Sequence, residues 1–144
     1  MCFGGASAPI DPYWASRHPK RAALMSAAGP LANVLLAVIA FTILYFIGKP
    51  GGDTARAVRE IAIMFMKLNL LLAIFNLIPL PPFDGSGVIG GLFPRSQRFY
   101  DSFRRIPYSF MLAMVAAWFL LPYLLWPAWY AVCRWLPYSP LLNG

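Results

Sequence analysis

Between residues 22 and 48 the chain carries no charged side chain at all. A stretch of that length spans a hydrocarbon layer of about 30 Å as a helix, with some tilt. Two further stretches, at 61–80 and 108–126, are also largely apolar, the first holding Lys67, and another continues through 128–136, interrupted by Pro122, Pro127 and Arg134. Hydrophobic residues make up 60% of the 144 residues and charged residues 12%. A soluble domain is nearer half apolar and a quarter charged, so this balance points to a bilayer as the solvent. We therefore expect an all-α polytopic membrane protein, a single membrane domain over 1–144, with three transmembrane helices. The 128–136 segment is expected as a fourth partial crossing or an interfacial helix, with Trp126, Trp129, Tyr130 and Trp135 in an aromatic belt.

The charges that remain are informative because they are few. Net charge is +7. The basic residues are scattered beside apolar runs, which argues for membrane flanks and against a nucleic-acid partner. With three crossings, Arg17, Lys20, Arg21, Arg95, Arg98, Arg104 and Arg105 share one side, and Lys49, Arg56, Arg59 and Arg134 share the other. The positive-inside rule then places the N-terminus and the far end of the 61–80 span toward the cytoplasm. Cys2 and Cys133 stand far apart with no C-x-x-C partner, so no disulfide framework or zinc finger is expected. The first residues hold no basic stretch followed by an apolar one, so no cleavable signal peptide is expected.

One segment breaks the pattern. Asn76-Leu77-Ile78-Pro79-Leu80-Pro81-Pro82-Phe83-Asp84-Gly85 closes the second apolar stretch and opens a short glycine-rich piece to residue 92. An Asp at the centre of a membrane helix costs about 2.5–3.5 kcal/mol, so such a residue is usually functional. The prolines free backbone groups that hydrocarbon cannot satisfy, so the break should face protein or a water-filled cavity. Asp84 fits a metal ligand, a general acid or base, or a helix N-cap, and a capping carboxylate keeps one oxygen spare. Gly87, Gly90 and Gly91 weaken the helix that follows.

Other polar residues have plainer readings. Lys67 lies about 9 Å along the 61–80 span and can snorkel to the interface. His18, the single histidine, sits in the basic stretch Arg17-His18-Pro19-Lys20 and reads as a solvated loop residue. Ala28-Gly29-Pro30-Leu31-Ala32-Asn33 reads first as small-residue helix packing, with Gly29-Pro30 a place for a kink or a re-entrant start. Asn33 adds a buried amide able to bond a substrate backbone. A zinc-peptidase helix needs His-Glu-x-x-His, which sets two imidazoles on one face and the glutamate beside the metal-bound water. That motif is absent, and Glu60, the single glutamate, has no histidine nearby.

The two elements in this order resemble the site-2 protease family, zinc metalloproteases that cleave within the membrane. Its members have an Ala-Gly-Pro-led helix followed by a helix ending Asn-x-x-Pro-x-Pro-x-x-Asp-Gly. Here these are Ala28-Gly29-Pro30-Leu31-Ala32-Asn33, then Asn76, Pro79, Pro81, Asp84 and Gly85. Residues 8–12 and 17–21 also resemble the segment preceding the first element in compact bacterial members. The resemblance implies zinc as cofactor, Asp84 as third metal ligand after two histidines, and Asn76 and Asn33 as substrate-binding residues. It implies transmembrane segments of membrane proteins as substrates and an integral location in the bacterial inner membrane. Zinc would lower the pKa of a bound water and polarise the scissile carbonyl, with the glutamate of His-Glu-x-x-His as base.

The chain departs from the family in lacking the helix that carries His-Glu-x-x-His, and so has no catalytic residue of its own. Three explanations stand: a truncated chain, a partner polypeptide supplying the missing helix, or a non-catalytic binding protein derived from the same fold. Truncation is favoured, because Met1 falls within a stretch resembling a loop interior. The chain alone is expected to bind zinc poorly and to show no peptidase activity. Ser86-Gly87 is a second departure, since many relatives continue Gly-Gly-Arg after the Asp.

Overall fold

The computed structural model describes residues 12–48 and 51–136. Cys2, residues 8–11 and the start of the Lys49-Pro50 turn lie outside them. All regular structure among the described residues is helical. It runs α1 (Pro12–Arg17), α2 (Pro19–Ile47), α3 (Asp53–Asn76), α4 (Asp84–Leu92), a 3-10 turn (Pro94–Ser96), α5 (Gln97–Arg104) and α6 (Ser109–Arg134).

Helix α2 begins on Pro19, whose fixed φ suits a first helical turn and whose missing N–H would be unpaired there anyway. It continues through Pro30 without interruption, so of the two readings of Gly29-Pro30, a kink or a re-entrant start, the second does not occur. The lost hydrogen bond is one of many in a helix of 29 residues, and Pro30 is itself buried. The helix stops at Gly48, where φ is 59°. There Arg59 of α3 donates from Nη1 to the Gly48 carbonyl at 3.1 Å, satisfying one acceptor that the ended helix leaves open.

Helix α3 buries Arg59, Ala62, Met66, Asn69 and Ala73. Steps of three and four place them on one face. That face meets Ala37, Ala40 and Leu44 of α2, and Trp129 and Cys133 of α6, in one core. Asn69 satisfies its buried amide locally, donating from Nδ2 to the Phe65 carbonyl at 2.8 Å. Lys67 does not extend freely: its Nζ lies 5.7 Å from the centre of the Trp129 ring, a cation–π distance.

Two boundaries differ from those expected. The 61–80 stretch is helical only to Asn76, because residues 79, 81 and 82 are prolines that cannot donate to a continuing helix. The stretches 108–126 and 128–136 form one helix, α6, which carries Pro122 and Pro127 inside it. Each proline removes one backbone bond, and burial of Trp129 and Cys133 beyond them holds the continuation in place. The basic segment 94–107 is also more ordered than a loop, since it contains the 3-10 turn and α5.

Helices α2 and α6 are each long and apolar enough to cross a membrane. Only 22% of the most apolar part of α2 and 11% of that of α6 are buried inside the protein. The core helix of a soluble protein would be mostly covered, so these faces suit lipid. Helix α3 is long enough but carries Arg56, Arg59, Glu60 and Lys67, so length and composition qualify two spans rather than three.

A carboxylate and a glycine where the two motifs meet

The segment after α3 is held by its own backbone and by two anchors. Leu80 N–H donates to Ile78 O at 2.8 Å, and Phe83 N–H to Leu80 O at 2.9 Å. Ile78 and Phe83 are buried against Ala113 and Ala117 of α6, and Phe75 meets the Phe83 ring edge-on at 4.6 Å. The broken stretch thus packs on protein, as its unpaired carbonyls require. Ser86 closes the turn by donating from Oγ to the Phe83 carbonyl at 2.8 Å. The buried Ser86 hydroxyl is thereby satisfied within its own turn.

Asp84 is the first residue of α4, and Phe83, not Asp84, occupies the cap position. Among the described residues the Asp84 carboxylate accepts no hydrogen bond, so it is not spent on capping. It is exposed, and its charge lies in the first turn of α4, where the helix dipole favours an anion. The motif on α2 arrives directly beside it: a Cβ built on Gly29 would lie 3.2 Å from Asp84 Oδ2. Gly29 and Asp84, more than fifty residues apart in the chain, therefore stand side by side.

Glycines make this approach feasible. A Cβ on Gly85 would collide with the carbonyl oxygens of Leu77 and Ile78. One on Gly87 would meet Ser26 Oγ, and one on Gly91 would meet the Pro19 carbonyl and Ala23. Gly87 and Gly91 stand four apart on α4; Ala23 and Ser26 stand three apart on α2. The glycines that weaken α4 as an isolated helix are what let it lie flush on α2, as small residues do between membrane helices. We expect Gly87→Ala to destabilise by about 1 kcal/mol, with part of the loss recovered by Ser26→Ala. A double-mutant cycle measured by thermal unfolding in detergent checks this, and zero coupling would deny the contact.

The other two expected residues are placed less directly. Asn33 is half-buried and four residues beyond Gly29, hence on the same face of α2 and about 6 Å further along the axis. Asn76 is half-buried as the last residue of α3. Among the described residues neither amide makes a side-chain hydrogen bond. A cavity of about 420 Å³ with a mixed polar and apolar wall opens nearby, lined in part by Ser26, Ser86, Gly87, Tyr100 and Asp101, but Asp84 does not line it. Sequence reading took Gly29 as general packing; its position against the carboxylate was not visible there, although the small-residue spacing along α2 and α4 was a signal for the contact.

The donors present do not fit a catalytic zinc by themselves. Such a site uses three protein ligands and an open position. Among the described residues no three of His, Cys, Asp and Glu converge. His18 stacks on Trp14 with ring centres 5.1 Å apart, its Nδ1 3.3 Å from the Trp14 carbonyl. Cys133 is buried in the other core. Asp84 offers one donor.

Two long helices with lipid-suited faces frame a carboxylate set against a glycine at a proline-broken turn. The family model described as Peptidase family M50 matches residues 47–118, half of the chain, and the chain belongs to that family. Relatives bear this out. A Bacillus subtilis (strain 168) protein named "Putative zinc metalloprotease YwhC" is 32% identical over 126 residues, covering 83% of this chain and 56% of that protein. "Putative zinc metalloprotease MJ0611" of Methanocaldococcus jannaschii is 44% identical over 71 residues, covering 49% of this chain and 35% of the relative. "Putative zinc metalloprotease Rip2" of Mycolicibacterium smegmatis is 33% identical over 98 residues, covering 67% and 36%. The chain thus spans between about a third and a little over half of the length of these relatives. No solved structure matches it significantly.

Proposed function

We propose that this chain forms the Asp84-bearing half of a zinc-dependent intramembrane protease that cleaves transmembrane segments of membrane proteins. Asp84 is one metal ligand, and Asn76 and Asn33 hold the backbone of the substrate strand. Helix α3 crosses the membrane with α2 and α6, which sets the Asp84 end toward the cytoplasm in a bacterial inner membrane. The two histidines and the glutamate base come from a segment carrying His-Glu-x-x-His that docks beside Gly29. The observation that carries this reading is the meeting of Gly29 with an exposed, unbonded Asp84 carboxylate. A carboxylate that caps nothing and pairs with nothing is a poor structural residue at the edge of a membrane.

The test is a zinc measurement on two proteins. The chain as given, purified in detergent, is expected to hold well under stoichiometric zinc. The chain joined to a His-Glu-x-x-His segment, read from the frame upstream of Met1 or from a neighbouring gene, is expected to hold about one zinc and to cleave a membrane-spanning reporter. Stop codons upstream, with no neighbouring gene supplying the motif, would instead favour a non-catalytic membrane protein that binds transmembrane segments through the same face. Stoichiometric zinc in the chain alone would contradict the proposal outright.

A further inference from the structure

The connection between α4 and α6 has features that the protease reading does not use. Residues 94–107 carry Arg95, Arg98, Arg104 and Arg105 against one acid, Asp101. All four arginines are exposed. Salt bridges would neutralise such a cluster, and one Asp cannot do so for four cations. Apolar side chains stand exposed along the same connection: Phe93 at 65%, Phe99 at 61% and Tyr108 at 80%.

Helix α5 sorts these two kinds of residue. Tyr100 is buried beside Gly90, and Phe103 is half-buried against the core of Ile78, Phe83, Ala113 and Ala117. Phe99 lies on the same arc of the helix but just outside the packed part, with its ring 5.6 Å from Tyr100 and 6.5 Å from Phe103. At 100° per residue, Arg98 and Ser102 point to the other side. The helix is therefore amphipathic, and the Phe99 edge of its apolar arc stands exposed among the described residues. Arg95 and Arg98, with Pro94, enclose an open cleft of about 440 Å³. The connection leads straight into Ser109, where α6, long and apolar enough to cross a membrane, begins.

We infer that residues 93–108 form an interfacial clamp for anionic phospholipid headgroups, with the phosphate seated between Arg95 and Arg98 and with Phe93, Phe99 and Tyr108 in the acyl boundary. The combination selects lipid over a free anion. A dissolved phosphate would use the arginines but would leave the aromatic side chains in water, whereas a bilayer surface takes both at once. Basic residues near an anionic leaflet each contribute attraction that fades within a Debye length, and an amphipathic helix buries its apolar face at the headgroup level. The inference rests on α6 crossing the membrane, and it is independent of zinc and of proteolysis.

The experiment uses the chain in nanodiscs of equal parts phosphatidylglycerol and phosphatidylcholine, followed by native mass spectrometry of the lipids it retains. Wild-type protein is expected to keep phosphatidylglycerol in preference. Arg95→Gln with Arg98→Gln is expected to reduce that preference roughly tenfold, and Arg56→Gln, exposed on α3, to leave it unchanged. Equal retention of the two lipids by the wild type, or an equal loss in Arg56→Gln, would overturn the inference. Circular dichroism checks that the double variant folds. If it does not, wild-type retention is followed as salt rises to roughly 0.5 M, where screening shortens to a few ångströms; retention that does not fall would equally overturn it.

Discussion

Replacing Asp84 by Asn in the protein extended with a His-Glu-x-x-His segment is expected to remove both bound zinc and cleavage while leaving the melting temperature of the zinc-free protein unchanged. Asn keeps the shape of the side chain and removes its charge. The carboxylate is exposed and makes no hydrogen bond with a described residue, so the fold does not depend on it. Substitutions at such positions usually change stability by less than about 0.5 kcal/mol. Function should respond very differently. Loss of an outer partner that merely orients a ligand already costs roughly 10–100-fold in metal affinity or activity. Loss of a ligand itself should exceed that. Zinc content by plasma mass spectrometry, cleavage of a membrane-spanning reporter and thermal unfolding are read on the same preparation. A variant that keeps its zinc would end the assignment of Asp84 as ligand. A variant that melts earlier than the parent when both are stripped of zinc would show that Asp84 had a structural role the contacts do not reveal.

Gly85→Ala is expected to have the opposite signature, destabilising the chain by about 3 kcal/mol or more whether or not zinc is present. The methyl group would run into the backbone carbonyls of Leu77 and Ile78, and backbone cannot rotate away as a side chain can. Nor can the turn shift as a body, because Ile78 and Phe83 are locked against Ala113 and Ala117 on α6. The expected result is a strongly lowered melting temperature, or loss of monodisperse protein in detergent. Gly51→Ala is the control, since nothing lies within 4 Å of a Cβ there. The two glycines differ in surroundings rather than in type, so similar behaviour in both variants would mean that the turn is not packed as described.

These two predictions separate what the motif does from what it is built on. Asp84 followed by Gly85 reads in sequence as one signature. In the structure the first residue faces outward with an unbonded carboxylate, and the second is pressed against the turn that precedes it. The same division explains which boundaries were legible. The end of α3 could be placed near the prolines because a missing N–H stops a helix by local chemistry. The unity of α6 could not, because Pro122 and Pro127 look like stops until the burial of Trp129 and Cys133 beyond them is known. Pro30 is the same case in α2. A membrane helix tolerates an interior proline when its neighbours hold both sides, and that support comes from tertiary contacts.

By itself the sequence determined the solvent, the helical class and the family signature. Each of these follows from local composition: long runs without charge suit a bilayer, backbone in a bilayer needs helices, and the motif residues are read one by one. Only the tertiary structure decided that Gly29 stands against Asp84, that Gly87 and Gly91 are the seat of α4 on α2, and that Lys67 meets Trp129 rather than extending freely. Those contacts join residues far apart in the chain. Their distances depend on how closely two helices approach, which is set by the smallest side chains on both faces together and is not carried by either helix alone.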